Sequence, residues 1–526
     1  MKYVMGKIKK TVCIMIAAAA IICSAGCTDT KEDTAAGNKD GIEDTSDKAD
    51  DKIHDSKNDS QSEKPNEYNV FLEVDTEKKT ITGVEKVKVT NNSEDEWNEV
   101  YFSTFINAFS DVENAPVFDK YKSKVYKYGN DTGRIGIINT YMLSEEVPFK
   151  NERTALEVDL KEPLKPGAET EVTIHFEAKI PHICHRTGYN DYAMWLGNFI
   201  PNLCVYDGEW EKYDYYPAGE PAYTTASNYN VNIKVPRGYT VIGSGNAKKE
   251  ENDESTTYSF SPKMVRDFVF AVSDKYKKDS IVTQDGIEIN YYHYSDGMYG
   301  DTPIEEKYLD MAKRSIEYYG SKVGPYPYDT LNIAEVELWG DLGMEYPEMI
   351  FLDSGYIKNE YSVTSIAHEA AHQWFYNVIG NDQYSSAWLD EGMANAVEMG
   401  VYMDKDELYN DVKKRYYELR EEYYDGRDYE GGYVVQRDVS SFDSWGTYYY
   451  SEYEKPMIMI YELKRKMGED KFDRFLKNYY NKFSFKTADR AGFIKCAEDS
   501  CGEELDDFFE EWLDEKGVPE IEWEEG

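Results

Sequence analysis

The pattern of hydrophobic and polar residues changes near residue 273. Between residues 67 and 272, apolar and polar residues alternate in short runs, and turn signals such as Pro236-Arg237-Gly238 separate the runs. Alternation with a period of two predicts half-buried β-strands. The predicted strands cover residues 70–74, 81–89, 100–106, 155–160, 171–176, 229–235 and 268–272. We therefore predict an all-β domain, a sandwich or saddle-like structure, over residues 67–272.

From residue 273 to residue 526 the apolar positions recur mainly at helical spacing. Short apolar runs at 287–294, 331–338 and 349–352 predict a small sheet. Predicted helices cover residues 303–319, 386–397, 405–424, 456–467, 470–483, 487–499 and 505–515. The chain is thus expected to have an α+β fold, with an all-β domain followed by a mainly α domain that contains a small sheet.

The first 27 residues have the features of an export signal. Four lysines precede an apolar stretch at 11–26, which is short for a membrane-spanning helix. The stretch ends in Ser24-Ala25-Gly26-Cys27, and small residues before a Cys resemble a bacterial lipobox, although Ser24 stands where Leu is usual. We expect lipidation at Cys27 and an exported protein anchored on the outer face of the cell membrane. Ordinary signal-peptide cleavage and an uncleaved anchor are the alternatives.

Residues 28–66 form a segment without aromatic residues that is rich in Asp, Lys, Ser and Thr. Such a composition cannot bury enough apolar surface to fold, so a disordered acidic linker is expected. The whole chain carries a formal net charge of −42. This charge argues against nucleic acids and against anionic membrane surfaces as partners.

Candidate chemistry centres on His368-Glu369-Ala370-Ala371-His372. Two His at i and i+4 point from one face of a helix, and Glu391 follows on a second predicted helix. Zinc needs three such ligands and an open position for water. The pattern predicts that His368, His372 and Glu391 hold one Zn²⁺ and that Glu369 is the general base. Two histidines on an ordinary helix are the alternative, which the Trp388-Leu389-Asp390-Glu391-Gly392 context disfavours.

Four cysteines, Cys184, Cys204, Cys496 and Cys501, lie beyond the predicted signal peptide. An even number in an exported chain allows disulfides, with three possible pairings. Cys184–Cys204 and Cys496–Cys501 are the local pairings, and free buried thiols are an equal alternative.

The chain resembles the aminopeptidase N family of gluzincin zinc metallopeptidases over residues 67–519. The resemblance rests on five segments: Phe268-Val269-Phe270-Ala271, Gly324-Pro325-Tyr326-Pro327-Tyr328, Leu342-Gly343-Met344-Glu345-Tyr346, the zinc motif with Gln373-Trp374, and Tyr453-Glu454-Lys455-Pro456. It implies a thermolysin-like zinc peptidase domain over residues 273–526. Because the sequence ends soon after the last predicted helix, no large C-terminal helical domain is expected.

The resemblance also implies roles for individual residues. Glu345 would bind the free α-amine of a peptide, and the backbone of Gly343 and Met344 would pair with the extended substrate. Tyr453 would stabilise the oxyanion together with zinc, with Tyr450 as its rival. The sequence departs from the family pattern at Leu342, Tyr346, Asp390 and Pro456. Asn395, one turn after Glu391, is a candidate to hydrogen-bond a zinc ligand.

Together these features predict a zinc-dependent aminopeptidase that removes N-terminal residues from peptides outside the cell membrane. Its partners would be peptide substrates and the membrane, through the lipid at Cys27, and not nucleic acid. Two alternatives remain: an endopeptidase or other zinc hydrolase on the same site, and a non-catalytic surface binding lipoprotein.

Overall fold

The computed structural model describes residues 64–296, 298–299, 302–339, 342–355, 360–424 and 432–523. The predicted signal peptide with Cys27, and the linker up to residue 63, lie outside the described residues. One compact unit spans Pro65–Gly526. No helix in the described part of the chain is both long enough and apolar enough to cross a membrane.

An eight-stranded sheet dominates the first half. In spatial order its strands are Ala247–Glu251, Ser255–Phe260, Asn228–Pro236, Glu67–Asp75, Thr80–Thr90, Glu169–Lys179, Arg134–Met142 and Glu145–Val147. Alternate residues of the Glu67–Asp75 strand, such as Leu72, are buried, while the intervening ones face outwards. The alternation seen in the sequence therefore reports a sheet with one face on the core.

Two smaller sheets complete the β region. One contains Trp97–Ser103, Ala155–Leu164 and Phe149–Glu152, and the other contains Thr240–Gly243, Phe270–Ser273, Met194–Leu196 and Thr187–Tyr189. Val100 and Leu156 of the three-stranded sheet share one fully buried core with Ile174 and Val231 of the large sheet. This shared core has the face-to-face packing of a sandwich.

The predicted strand at 100–106 ends early. The chain turns into a 3₁₀ helix at Phe105–Phe109, where four of the five side chains are buried together. The backbone N–H of Thr104 donates to the carbonyl of Thr154, which closes the ladder at this point. The apolar residues after Ser103 therefore pack as a turn rather than on one face of a strand.

The second half contains a five-stranded sheet in the order Lys277–Val282, Glu288–His293, Thr330–Val336, Met349–Asp353 and Gly343–Met344. The Thr330–Val336 and Met349–Asp353 strands are parallel and buried at every position. Leu331 and Ile333 pack on the helices, whereas Ala334 and Val336 pack on Trp195 of the β region. Coverage on both faces explains why these strands read as continuous apolar runs.

Ten α-helices are described: α1 Asp119–Val125, α2 Ile304–Lys322, α3 Glu360–Ala371, α4 Glu391–Tyr402, α5 Lys405–Tyr424, α6 Trp445–Tyr448, α7 Lys455–Met467, α8 Glu469–Phe483, α9 Arg490–Cys501 and α10 Asp506–Leu513. Further 3₁₀ turns lie at Ala387–Leu389 and Val439–Ser441, and a π-helix at Tyr449–Glu454 joins α6 to α7. Two-stranded pairings join Met298–Tyr299 to Thr302–Pro303 and Ile379–Gly380 to Lys486–Thr487. The predicted α+β fold is confirmed.

Two helix starts were predicted too early. The helix expected at 386–397 begins at Glu391, because a 3₁₀ turn precedes it. The helix expected at 487–499 begins at Arg490, because the side chain of Asp489 caps it by accepting from the N–H of Gly492.

Of the two alternatives for the cysteines, free thiols are confirmed and neither local disulfide forms: all four cysteines in the described residues are free and buried. Cys496 and Cys501 lie five residues apart on α9, so their side chains leave the helix in different directions. The backbone N–H of Cys184 bonds the carbonyl of Val125, whereas that of Cys204 bonds the carbonyl of Tyr101. The two local pairs therefore belong to separate packing environments.

Candidate metal centre and active site

Helices α3 and α4 bring His368, His372 and Glu391 together. His368 lies in the last turn of α3, and His372 follows directly, where Trp374 is fully buried and donates from Nε1 to the carbonyl of Gly324. Glu391 is the first residue of α4. The end of one helix and the start of the next thus face each other across the site.

The three side chains converge on one point. The Nε2 atoms of His368 and His372 are 3.1 Å apart, and Oε2 of Glu391 lies 3.3 and 3.2 Å from them. Ligands of a tetrahedral zinc ion, each about 2.0–2.2 Å from the metal, lie about 3.3 Å from one another. The triangle therefore has the dimensions of a zinc site.

The hydrogen bonds at Nδ1 of both imidazoles leave the two Nε2 atoms as acceptors. Nδ1 of His372 lies 3.0 Å from the carbonyl of Phe375, and Nδ1 of His368 lies 3.3 Å from Oε2 of Glu398. In a neutral imidazole each Nδ1 must then carry the proton, which leaves both Nε2 lone pairs facing the Glu391 carboxylate. Three electron-rich atoms directed at one point fit a cation.

Sequence reasoning missed Glu398. Two helical turns separate it from Glu391, so both lie on one face of α4, and this spacing was the available signal. Asn395 was predicted for this role. It is buried on α4, but within the described residues it makes no hydrogen bond to a metal ligand.

Glu369, the predicted general base, is buried against Gly343. A Cβ at position 343 would lie 2.6 Å from the Glu369 carboxyl carbon, so a larger residue there would displace this carboxylate. In the metal-free protein, burial raises the pKa of Glu369 to about 8, although the nearby His368 opposes this shift.

Tyr453 lies in the π-helix that precedes α7, and its hydroxyl donates to Oε1 of Glu391 at 2.5 Å. π-helical turns are rare and occur often at functional sites. The ring of Tyr450, the rival candidate, packs against Tyr433. The fold thus brings Tyr453 to the ligand set.

Two further carboxylates face the ligand Glu391. One oxygen each from Glu220, Glu345 and Glu391 lies within 4.8 Å of the others. Glu345 is only 5% exposed. Glu220 was missed by sequence reasoning because it comes from the β region, more than 120 residues earlier, and no local pattern marks it. Its Oε1 accepts from Nη2 of Arg186 at 2.5 Å, which fixes its position.

Gly343 and Met344 form the last strand of the five-stranded sheet, paired with Leu352 and Phe351 on one side. In the described residues no strand pairs with its other side. That edge is available for an extended peptide backbone.

The departures from the family pattern have structural counterparts. The hydroxyl of Tyr346 donates to Oδ1 of Asn198, and its ring fills the space over Gly197. Asp390 is fully buried and accepts hydrogen bonds from the amides of Asn381 and Gln383. Burial raises the pKa of Asp390 to about 7.

The other two departures lie beside the same site. Leu342 is half-buried next to Gly343. Pro456 stands at the start of α7, where proline is tolerated, and packs against Gly392 of α4.

Comparisons with known proteins identify the domain that contains this site. Residues 307–512 match the model of the peptidase family M1 domain. The chain is 23% identical over 316 residues to tricorn protease-interacting factor F2 of Thermoplasma volcanium, covering 57% of this chain and 39% of that protein. It is 26% identical over 230 residues to aminopeptidase N of Lactococcus lactis, covering 40% of this chain and 27% of that protein. The chain spans less than half the length of these two relatives.

Among solved structures, an M1 zinc metallopeptidase from Deinococcus radiodurans matches with a TM-score of 0.64 at 16% identity. The match covers 87% of this chain and 96% of that one, so the two share a fold over most of their length. Residues 307–512 thus form a peptidase family M1 domain, and the predicted resemblance to the aminopeptidase N family of zinc metallopeptidases is confirmed.

Proposed function

We propose that this protein is a zinc-dependent aminopeptidase that removes N-terminal residues from peptides. The observation that carries the proposal is the position of Glu220 and Glu345, whose carboxylates lie beside the metal ligand Glu391. A peptide's α-ammonium must lose its water to reach such a buried site, and it does so only where carboxylates replace that hydration. The same charges give no advantage to the interior of a peptide chain.

Each residue of the site would have its own role in the proposed reaction. Zinc bound by His368, His372 and Glu391 would activate water and polarise the scissile carbonyl. Glu369 would take the proton of the attacking water and deliver it to the leaving amine. The Tyr453 hydroxyl, which already points into the site, would donate to the developing oxyanion. The free edge of Gly343–Met344 would hold the substrate backbone.

A panel of aminoacyl fluorogenic substrates, free or N-acetylated, tests the proposal. Free substrates should be cleaved and acetylated ones should be poor, since they lack the ammonium. Glu345→Gln and Glu220→Gln should each lower kcat/KM for free substrates. The loss of transition-state stabilisation, calculated from the ratio of kcat/KM values, should be about 2–4 kcal/mol, in the range for breaking a buried charged pair. Rates on acetylated substrates should change little.

Glu348→Gln is the matched control. This carboxylate is buried three residues after Glu345 and faces Gly245 instead of the ligand set. If the wild type cuts acetylated and free substrates equally fast, or if Glu345→Gln slows both equally, the endopeptidase alternative replaces the aminopeptidase.

We also propose that the enzyme is exported and held on the outer face of the cell membrane by lipid at Cys27. The basic, apolar and small-residue order of residues 1–27 supports this, and the acidic linker at 28–66 would act as a tether. The native protein should partition into detergent, and Cys27→Ser should release it or leave the leader uncleaved. A native protein without lipid, starting at another residue, would refute the anchor.

A further inference from the structure

A cavity of about 370 Å³ lies between helices α2, α4, α5, α7 and α8. Its apolar lining includes Ala396, Val397, Leu408, Ile460, Phe472 and Leu476. Ala396 and Gly400 leave α4 roughly 140–180° around the axis from Glu391, at about 100° per residue. The cavity is therefore on the face of α4 opposite to the metal ligands and is separate from the active site.

Charged groups line the same cavity, and two of its lysines are already paired. Lys322 contacts Asp473 at 2.8 Å, and Lys405 contacts Glu469 at 2.5 Å. The third carboxylate of the lining, Asp404, accepts at Oδ1 from the backbone N–H groups of Asp406 and Glu407 at the start of α5. All three carboxylates thus have closer partners than the third lysine of the lining.

Lys464 is that third lysine. It is half-buried on α7, and no carboxylate of the described residues lies within 4.0 Å of its Nζ. The ring of Phe472 lies beside it, with the ring centroid 5.8 Å from Nζ. Burial lowers the pKa of Lys464 and outweighs the opposing charges of Glu469 and Asp473. An anion bound here would replace that lost hydration.

The net charge of the whole protein distinguishes this cavity from the rest of the surface. With a formal net charge of −42, the general surface repels small anions. A cation at an apolar cavity is therefore an exception to its surroundings. We propose that the cavity binds a small amphipathic monoanion, with its hydrocarbon body among the apolar side chains and its carboxylate on Lys464.

The site is connected to the metal centre through the helices that form its walls. Tyr319, which lines the cavity, donates its hydroxyl to the carbonyl of Ala367 at 2.7 Å, immediately before His368. Helix α4 carries Glu391 and Glu398 on its other face. Binding of an anion in this cavity does not depend on the peptidase activity and can be measured directly.

Titration calorimetry on the zinc-loaded full chain tests the site with decanoate as the probe. We expect one saturable decanoate per chain, and decylamine, which has the same chain length and the opposite charge, should bind at least about tenfold more weakly. The absence of saturable decanoate binding, or equal affinity for decylamine, would overturn the proposal.

Two variants localise the bound probe. Lys464→Gln should weaken decanoate binding about tenfold or more, whereas Lys466→Gln, an exposed lysine on the same helix, should leave it unchanged. Ala396→Trp should fill the cavity and remove binding while the thermal transition is retained. Decanoate bound to the catalytic zinc instead would be insensitive to Lys464→Gln, and that result would also refute the site.

Discussion

The active site and the core of the β region both bury carboxylates, but they do so in different ways. In the active site, Glu220, Glu345 and Glu391 converge within 4.8 Å, and two imidazoles face the same point. In the large sheet, Glu85 is fully buried on the Thr80–Thr90 strand, and neither of its oxygens has a hydrogen-bond partner among the described residues.

The difference lies in what balances each charge. Convergent carboxylates and lone pairs repel one another unless a cation joins them, so their arrangement predicts a metal ion and an ammonium group. For Glu85, burial raises the pKa well above its ordinary value, and the nearby Asp267 adds to the shift. A buried carboxyl without a hydrogen-bond partner or a nearby cation thus favours its neutral form. Convergence, rather than burial alone, is therefore the functional signal.

The largest effect is expected for Glu369→Gln, because this change removes proton transfer but leaves the ligand set. The expected loss of kcat is about 10³–10⁴-fold, with zinc content unchanged at one per chain. Metal analysis and peptide turnover on the same sample measure both quantities. The control Glu348→Gln should keep full activity, and near-native turnover in zinc-loaded Glu369→Gln would remove Glu369 from the mechanism.

A second prediction concerns the protons that the metal must displace. In the metal-free protein, burial lowers the pKa of His372, but Glu391 and Glu345 outweigh this and raise it to about 9. The pKa of His368 is also raised, because Glu391 and Glu398 outweigh its burial. Below about pH 9 His372 is thus protonated, the pKa of His368 is shifted in the same direction, and zinc must displace these protons to bind.

The apparent zinc affinity should therefore rise about tenfold or more per pH unit from pH 6 to 8. Competition with a chelator of known affinity measures the constants, and titrations in two buffers of different ionisation enthalpy count the released protons. An affinity that is independent of pH over this range would show that the histidines are already neutral.

A third prediction concerns the contact between Glu398 and the zinc ligand His368. Glu398→Gln should weaken zinc binding about 10–100-fold, because it loses the charged acceptor that orients His368. Asn395→Ala on the same helix is the control and should change zinc affinity little. If the two variants behave alike, the contact between Glu398 and His368 has no part in metal binding.

Sequence reasoning reached the ligand set because its information is local. His368, Glu369 and His372 lie within one helical turn and a half, and Glu391 follows in a recognisable context. The helices α5, α7 and α8 were also predicted to within one residue at the start. Strong amphipathic periodicity and a short motif are both properties of a continuous segment.

The residues that were missed depend on tertiary packing. Glu220 meets Glu345 only because the β region packs against the five-stranded sheet, which no local pattern reveals. The early end of the strand at Ser103 and the buried free thiols likewise depend on what surrounds them. Glu85 could not be anticipated either, since a lone Glu in an alternating strand is expected to face solvent.

The smallest predicted effect concerns Glu85, the buried carboxyl without a hydrogen-bond partner among the described residues. Glu85→Met replaces an unsatisfied buried carboxyl by an apolar side chain of similar length, so unfolding free energy at pH 8 should rise by about 1–3 kcal/mol. The folded-state pKa of Glu85 is raised, so folding takes up a proton between the unfolded value of about 4.3 and the higher folded value. The wild type is thus penalised increasingly as pH rises, whereas Met is not.

The gain from Glu85→Met should therefore be larger at pH 8 than at pH 5, and urea unfolding at the two values measures it. Glu85→Gln is the matched control: it removes the titration and keeps the polar atoms, so its stability difference from Glu85→Met should not vary with pH. If Glu85→Met were destabilising at both pH values, the Glu85 carboxyl would have to contribute a favourable interaction. Buried acids of the β core and of the active site would then no longer differ in kind, and convergence would lose its value as a marker of the metal centre.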